Sequence, residues 1–139
     1  MAGPREGAQK AQTSGRVIGL TFDTGALIAL ERRHQRIAQV YFEAMREDLA
    51  MTVPSPVIVE WWRGRSAARE VILRGLRVER LDDELAKLAG EALAVVNASP
   101  VDAVVMASAA RRGDIVYTSD LSDLGRLQRV FPNVRLLSV

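Results

Sequence analysis

The ten residues Val17-Ile18-Gly19-Leu20-Thr21-Phe22-Asp23-Thr24-Gly25-Ala26 constrain the chain more than any other stretch. The apolar run over 17–22 contains no charge and reads as a strand buried on both faces, the kind found in parallel sheets covered by helices. It stops at Asp23, and Gly25 turns the chain into an apolar helix. A carboxylate at the carboxyl end of a central parallel strand lies where open α/β sheets place their sites. Asp23 alone is equally suited to capping the helix that follows it.

The rest of the chain alternates helices with strands. Ala26 to Leu30 make a short helix, and a second helix carries Ile37, Val40, Tyr41 and Ala44 on one face. Met51 to Val53 read as a strand. Ser55-Pro56 then starts a helix holding Glu60, Trp61 and Trp62, which Gly64 can end. Ser66 to Arg74 form a helix with Ala68, Val71 and Ile72 expected inward, and 76–81 an edge-type strand. Asp82 caps a long helix with Leu85, Leu88, Ala89, Ala92 and Val96 on one face, and Ser99-Pro100 opens another that Gly113 closes. A buried strand over 115–118, a helical stretch over 120–129 and a last strand over 134–138 complete the pattern. It predicts a three-layer α/β/α sandwich around a parallel sheet. Residues 1–16 lack periodicity and read as a flexible tail ahead of one domain over 17–139.

No stretch approaches the roughly 18 apolar residues of a membrane span. The first fifteen residues have no apolar core of a signal peptide, and the chain has no Cys. A cytoplasmic protein without membrane partners is expected. Of the 19 basic residues only Lys10 and Lys87 are Lys; the Arg bias suits phosphate binding and equally suits a GC-rich genome.

The acids carry the chemistry. Asp23 and Asp120 each follow a buried strand at its carboxyl end, while Asp114 precedes its strand, about 17 Å away at the opposite edge. Asp102 falls in the first turn of its helix and Asp123 just beyond Asp120. Ser99-x-x-Asp102 and Asp120-x-x-Asp123 have capping-box spacing, so Asp102 and Asp123 have a purely structural use open to them. Glu60, between Val59 and Trp61, has no such use and is costly if buried unpaired. Carboxylates gathered at one sheet edge repel one another unless a cation holds them. Oxygen ligands without Cys or a His partner point to Mg²⁺ or Mn²⁺, ions able to assist phosphodiester hydrolysis. Setting aside these five acids leaves 12 acidic against 19 basic residues, a body suited to a polyanion.

Asp23-Thr24, Glu60, Val101-Asp102-Ala103 and Thr118-Ser119-Asp120-Leu121-Ser122-Asp123 together resemble, in order and spacing, the PIN-domain ribonucleases, above all the VapC toxins of bacterial toxin–antitoxin pairs. The resemblance spans about 17–139. It implies a five-stranded parallel sheet and a Mg²⁺- or Mn²⁺-dependent endoribonuclease, homodimeric and inhibited by a VapB-type antitoxin. It carries over Asp23, Glu60, Asp102 and Asp120 as the catalytic acids, with Asp23, Asp102, Asp120 and Asp123 toward metal and Thr118 as a polar neighbour. Val101 stands where many members have a small residue. A catalytically inactive PIN-like module that binds RNA or protein is the alternative.

Two surfaces are expected beside the acids. Trp61, Trp62, Val71 and Ile72 supply more apolar bulk than two short helices bury alone, suggesting a groove for an amphipathic antitoxin segment; the two Trp residues also suit the core or base stacking. Arg63, Arg65 and Arg69 form a solvated helix face or, beside the acids, contacts to RNA phosphates. His34, the only His, falls among charged residues and reads as surface. Two other Asp-based α/β classes fit poorly. The haloacid-dehalogenase type needs an acid where Gly25 stands, and a response-regulator receiver needs a late Lys that the chain lacks beyond Lys87.

Overall fold

The structure, a computed structural model, describes residues 12–13 and 16–139, with side chains from Ile18 onward. Two short strands, β1 (Gln12–Thr13) and β2 (Arg16–Val17), pair antiparallel. The other positions of the expected tail, 1–11 and 14–15, lie outside the described residues. The opening strand is shorter than the apolar run suggests. Val17 pairs within the small ladder, and β3 covers only Leu20–Phe22.

The main elements follow in alternation: α1 (Thr24–Glu31), α2 (Gln35–Arg46), β4 (Met51–Pro54), α3 (Ser55–Trp61), α4 (Ala67–Arg74), β5 (Arg77–Glu79), α5 (Asp83–Val95), α6 (Pro100–Arg112), β6 (Ile115–Thr118), α7 (Leu121–Arg126) and β7 (Arg135–Ser138). A 3₁₀ turn, Leu127–Arg129, finishes the stretch expected as one helix over 120–129. β3 to β7 form one sheet in the order β5-β4-β3-β6-β7, every pair parallel. The three-layer α/β/α sandwich with a five-stranded parallel sheet is therefore present, and β5 is an edge strand as its alternation required.

Local chemistry explains most boundaries. Asp23, Ser66, Asp82, Ser99 and Asp120 each cap a helix, their side chains accepting the N–H three residues on. Gly113, with φ of 75°, ends α6 in the left-handed conformation that glycine adopts without Cβ strain. The central strands are buried: Leu20, Phe22, Met51, Val53, Ile115 and Val116 all belong to the core. Leu20 and Tyr117 face α2 across one surface of the sheet. Thr21 faces the other, where Arg112 and Ser108 of α6 lie. α6 runs back along β3 with seven consecutive buried residues, Ala103 to Ala109. Its first turn thus returns to the carboxyl edge of the sheet, beside the residues that follow β3 and β6.

Among the described residues no single helix is long and apolar enough to cross a membrane.

Candidate active site

Asp23 is the buried centre of the carboxyl edge. Its Oδ1 accepts the Ala26 N–H at 2.7 Å, and its Oδ2 accepts the Thr118 hydroxyl. It therefore caps α1 and faces the neighbouring strand at once, so its two candidate roles coexist in one side chain. Thr118 Oγ1 in turn accepts the Asp120 N–H at 2.8 Å, tying the loop after β6 to the one after β3. The two loops touch at Gly25, where an added Cβ would lie 1.7 Å from Ser119 Oγ and 2.7 Å from Ser119 Cβ. Glycine is required there for space, with no unusual φ involved.

The other acids gather around this centre. Burial raises the pKa of Asp23 to about 6 against the opposing hydrogen bonds from Thr118 and Ala26, and the charges of Asp102 and Asp120 push it further up. Asp102, half-buried, is also raised by burial; the Ser99 hydroxyl opposes this, while Asp123, Glu60 and Asp120 reinforce it. Asp120 goes the other way: the Asp123 N–H first, and then the charge of Arg126, hold it below the usual carboxylate range. Asp102 is thus the common neighbour: its charge acts on Asp23, and the charges of Asp123, Glu60 and Asp120 act on it.

Capping and convergence are combined here. Ser99 Oγ accepts the Asp102 N–H at 3.1 Å, Asp120 Oδ1 accepts the Asp123 N–H at 3.0 Å, and Asp123 pairs with Arg126 at 2.8 Å. Among the described residues no three acidic or imidazole groups stand close enough together to hold an ion as they are placed. The donors are nevertheless all carboxylate oxygens, and their mutual repulsion is of the kind a hard divalent ion relieves.

Glu60 reaches this edge by an unexpected route. The sequence suggested a carboxylate trapped in an apolar helix, but Glu60 is exposed, as is Val59 at 80%. On a seven-residue helix the apolar run did not reveal which side faces in. Glu60 Oε1 accepts the Thr24 hydroxyl at 2.5 Å, which brings it beside the residue following Asp23.

The neighbouring residues separate into bound and open groups. Trp61 is buried at 2% exposure and donates its indole N–H to Glu31, so it is core and does not line a surface groove. Trp62, half-buried, packs edge-on against it. Arg69 is engaged by Glu31 and by the Gly64 carbonyl, which removes it from the phosphate-binding set. Arg63 and Arg65 stay exposed, with Arg63 Nε donating to the Glu60 carbonyl. Ile72 is buried, but Val71 is 54% exposed and Ala68 is open, contrary to the inward face expected of α4. Both line a mostly apolar groove of about 560 Å³ between α1, α2 and α4, with Leu30, Tyr41, Phe42 and Ile72 among its walls and the charged Glu31 and Arg33 also lining it. Phe42, 65% exposed, is the exposed aromatic of that groove, Tyr41 being buried. The sequence does not single it out, because it lies off the buried stripe of Ile37, Tyr41 and Ala44 on α2.

Comparisons place this arrangement among known folds. Among curated proteins nothing matches the sequence. A chain of the DNA-bound VapBC complex from Salmonella typhimurium superposes with a TM-score of 0.66 at 20% identity, covering 88% of this chain and 98% of that one. VapBC2 from Rickettsia felis, bound to a promoter DNA fragment, gives 0.67 at 12% identity, covering 88% and 99%. VapC20 of Mycobacterium tuberculosis, described as a sarcin–ricin loop cleaving toxin, gives 0.55 at 18% identity, covering 78% and 96%. The family model of the PIN domain matches residues 20–129, a span that includes Asp23, Glu60, Asp102, Thr118, Asp120 and Asp123. With that match over most of its length, and the five-stranded parallel sheet beneath the converging acids, the chain belongs to the PIN domain family.

Proposed function

We propose that the chain is a Mg²⁺- or Mn²⁺-dependent endoribonuclease, the toxin half of a VapBC-type pair. The carrying observation is Asp23, buried, fixed through both oxygens, and raised in pKa by burial and by Asp102 and Asp120. A fold has little structural use for such mutual repulsion. Asp23, Asp102 and Asp120 are the residues to hold a divalent ion, with Asp123 at the rim. A bound ion supplies Lewis-acid stabilisation of the charge that builds on phosphodiester oxygens during hydrolysis. The chain's own groups do the rest. The Ala26 N–H and the Thr118 hydroxyl hold the Asp23 carboxylate in one orientation, and Thr118 keeps Asp120 in step with it. Glu60, exposed and oriented by Thr24, is the group to accept a proton from an incoming water at its carboxylate. Arg63, bonded to the Glu60 carbonyl, and the exposed Arg65 two residues on are the residues to meet RNA phosphates.

The groove of Phe42, Val71 and Ile72 suits an amphipathic antitoxin helix, and the active form in this reading is a homodimer. The VapBC complexes that the fold resembles support a protein partner. A cleavage assay on ribosomal RNA tests the reading. The parent protein cuts with Mg²⁺ or Mn²⁺ and stops in EDTA, and Asp23→Asn does not cut. An intact substrate under every condition favours the inactive binding module, and undiminished cleavage in EDTA removes the metal.

A further inference from the structure

We infer that Glu31 is a positioning residue for Glu60, acting through Trp61 with Arg69 as its brace. The inference rests on the reading of Glu60 as a working acid. Glu60 and Trp61 are the last two residues of α3, and their side chains diverge by about 100°. Each reaches α1, at opposite ends: Thr24 Oγ1 donates to Glu60 at 2.5 Å, and Trp61 Nε1 donates to Glu31 Oε1 at 2.9 Å. The two contacts are separated by the length of α1, about 10 Å at 1.5 Å per residue. Two ties so far apart fix both the rotation and the crossing angle of α3, which one tie cannot do.

α3 needs this help. It has seven residues, Pro54 at its N-cap makes no side-chain bond, and only the Trp62 N–H caps its end. A helix this short takes its stability and orientation from tertiary contacts. Glu31 is itself held in a fork by Arg69, Nε to Oε1 at 3.1 Å and Nη2 to Oε2 at 3.0 Å, while Arg69 Nη1 donates to the Gly64 carbonyl at 2.8 Å. The fork sets the plane of the carboxylate that receives the indole, and the third bond anchors the loop leading out of α3. Asp23 caps the start of α1 and Glu31 is its last residue. The same rigid helix therefore sets the buried acid directly and the exposed acid through Trp61.

RNA cleavage kinetics of Glu31→Ala, Glu31→Gln and Trp61→Phe, each alone and combined with Glu60→Gln, test this, with indole-proton exchange of Trp61 as a readout independent of activity. Glu31→Ala lowers kcat about tenfold with KM for RNA unchanged, since ångström-scale misplacement of a reacting group costs this much or more. Trp61→Phe keeps an aromatic ring but deletes the indole N–H together with its five-membered ring, and behaves alike. Glu31→Gln retains an acceptor for the indole and recovers most of the rate. In the Glu60→Gln background the same substitutions cost less than twofold, because misplacing a disabled residue loses nothing more. Indole exchange quickens in Glu31→Ala and less so in Glu31→Gln. Losses that multiply across both backgrounds, a shift in KM alone, or unchanged indole exchange in Glu31→Ala overturn the inference while leaving the nuclease intact. A parent that cuts no RNA with Mg²⁺ or Mn²⁺ overturns the nuclease reading instead, and this one falls with it. Glu31→Met, which keeps the volume and removes the acceptor, carries the same test by rate and indole exchange if Glu31→Ala does not fold.

Discussion

One helix connects two groups of carboxylates that are handled in opposite ways. At its last turn α6 places Arg111 and Arg112 against Asp114 and Glu79; at its first turn it places Asp102 beside Asp23. Arg112 engages every guanidinium nitrogen: Nε donates to Asp114 at 2.9 Å, Nη1 to Glu79 at 2.7 Å, and Nη2 to Thr21 and Ser108 at 2.8 and 2.9 Å. Arg111 adds a second contact to Glu79 at 3.0 Å. Burial alone would raise Glu79, but Ser108, Arg111 and Arg112 outweigh it and hold its pKa down. At the other end, among the described residues, no guanidinium pairs with Asp23 or Asp102, and both are raised. A buried carboxylate with its own cation is architecture. Buried carboxylates left to repel one another are costly to the fold, which makes them the better candidates for chemistry.

The largest expected effect comes from breaking the paired end. Arg112→Leu leaves Asp114 buried without its cation and should lower unfolding free energy by about 3–5 kcal/mol in urea titrations. Adding Asp114→Asn should recover part of that loss. The same kind of change at the acidic end should leave stability alone and affect activity. Asp23→Asn keeps a good helix cap and removes a repelling charge, so in chelator it should melt no lower than the parent. RNA cleavage should fall at least about a hundredfold, roughly 2.7 kcal/mol of barrier.

The acidic end is assembled by close packing where the paired end is assembled by charge. Gly25→Ala drives a Cβ into Ser119 and should cost about 1–3 kcal/mol, read as a lower melting temperature together with weaker cleavage. The smallest effect separates the two ends by pH. The folded-state pKa of Asp23 lies above its unfolded value of 3.8, so the stability tied to its proton is complete below that value and is lost as pH rises through about 6. In chelator the protein should therefore gain about 1 kcal/mol between pH 7 and pH 5, and Asp23→Asn should flatten that gain. Glu79 is lowered, so its contribution is present above the unfolded value of 4.5 and is lost only at more acid pH. A parent whose stability is flat from pH 7 to pH 5 would erase the contrast.

The acidic end was far more legible than the paired end. Asp23, Asp102 and Asp120 sit at strand ends and helix starts, where local spacing fixes the backbone, and the parallel sheet brings those ends together. Capping residues were legible for the same reason, since a cap bonds a backbone N–H three residues away. The paired end was read only as the place where Asp114 is excluded; nothing in the spacing of Glu79, Arg112 and Asp114 announced a network joining β5, α6 and β3.

Sequence alone thus determined the alternation of elements, the layered class, the helix caps at Asp82 and Ser99 and the edge to which the acids belong, because each depends on periodicity or on contacts within one turn; the cap expected of Ser55 is absent, its hydroxyl accepting the Leu81 N–H instead. Only the tertiary structure decided which side of α3 faces outward, that Trp61 turns inward to Glu31, that Arg69 is occupied, that Val71 stays open beside Phe42, and that Val17 leaves the central strand. Those choices belong to pairs such as Trp61 with Glu31 or Arg112 with Asp114 and Glu79. Side chains there find partners on other elements, and the partner is set by how the helices cross and not by any neighbour in the chain.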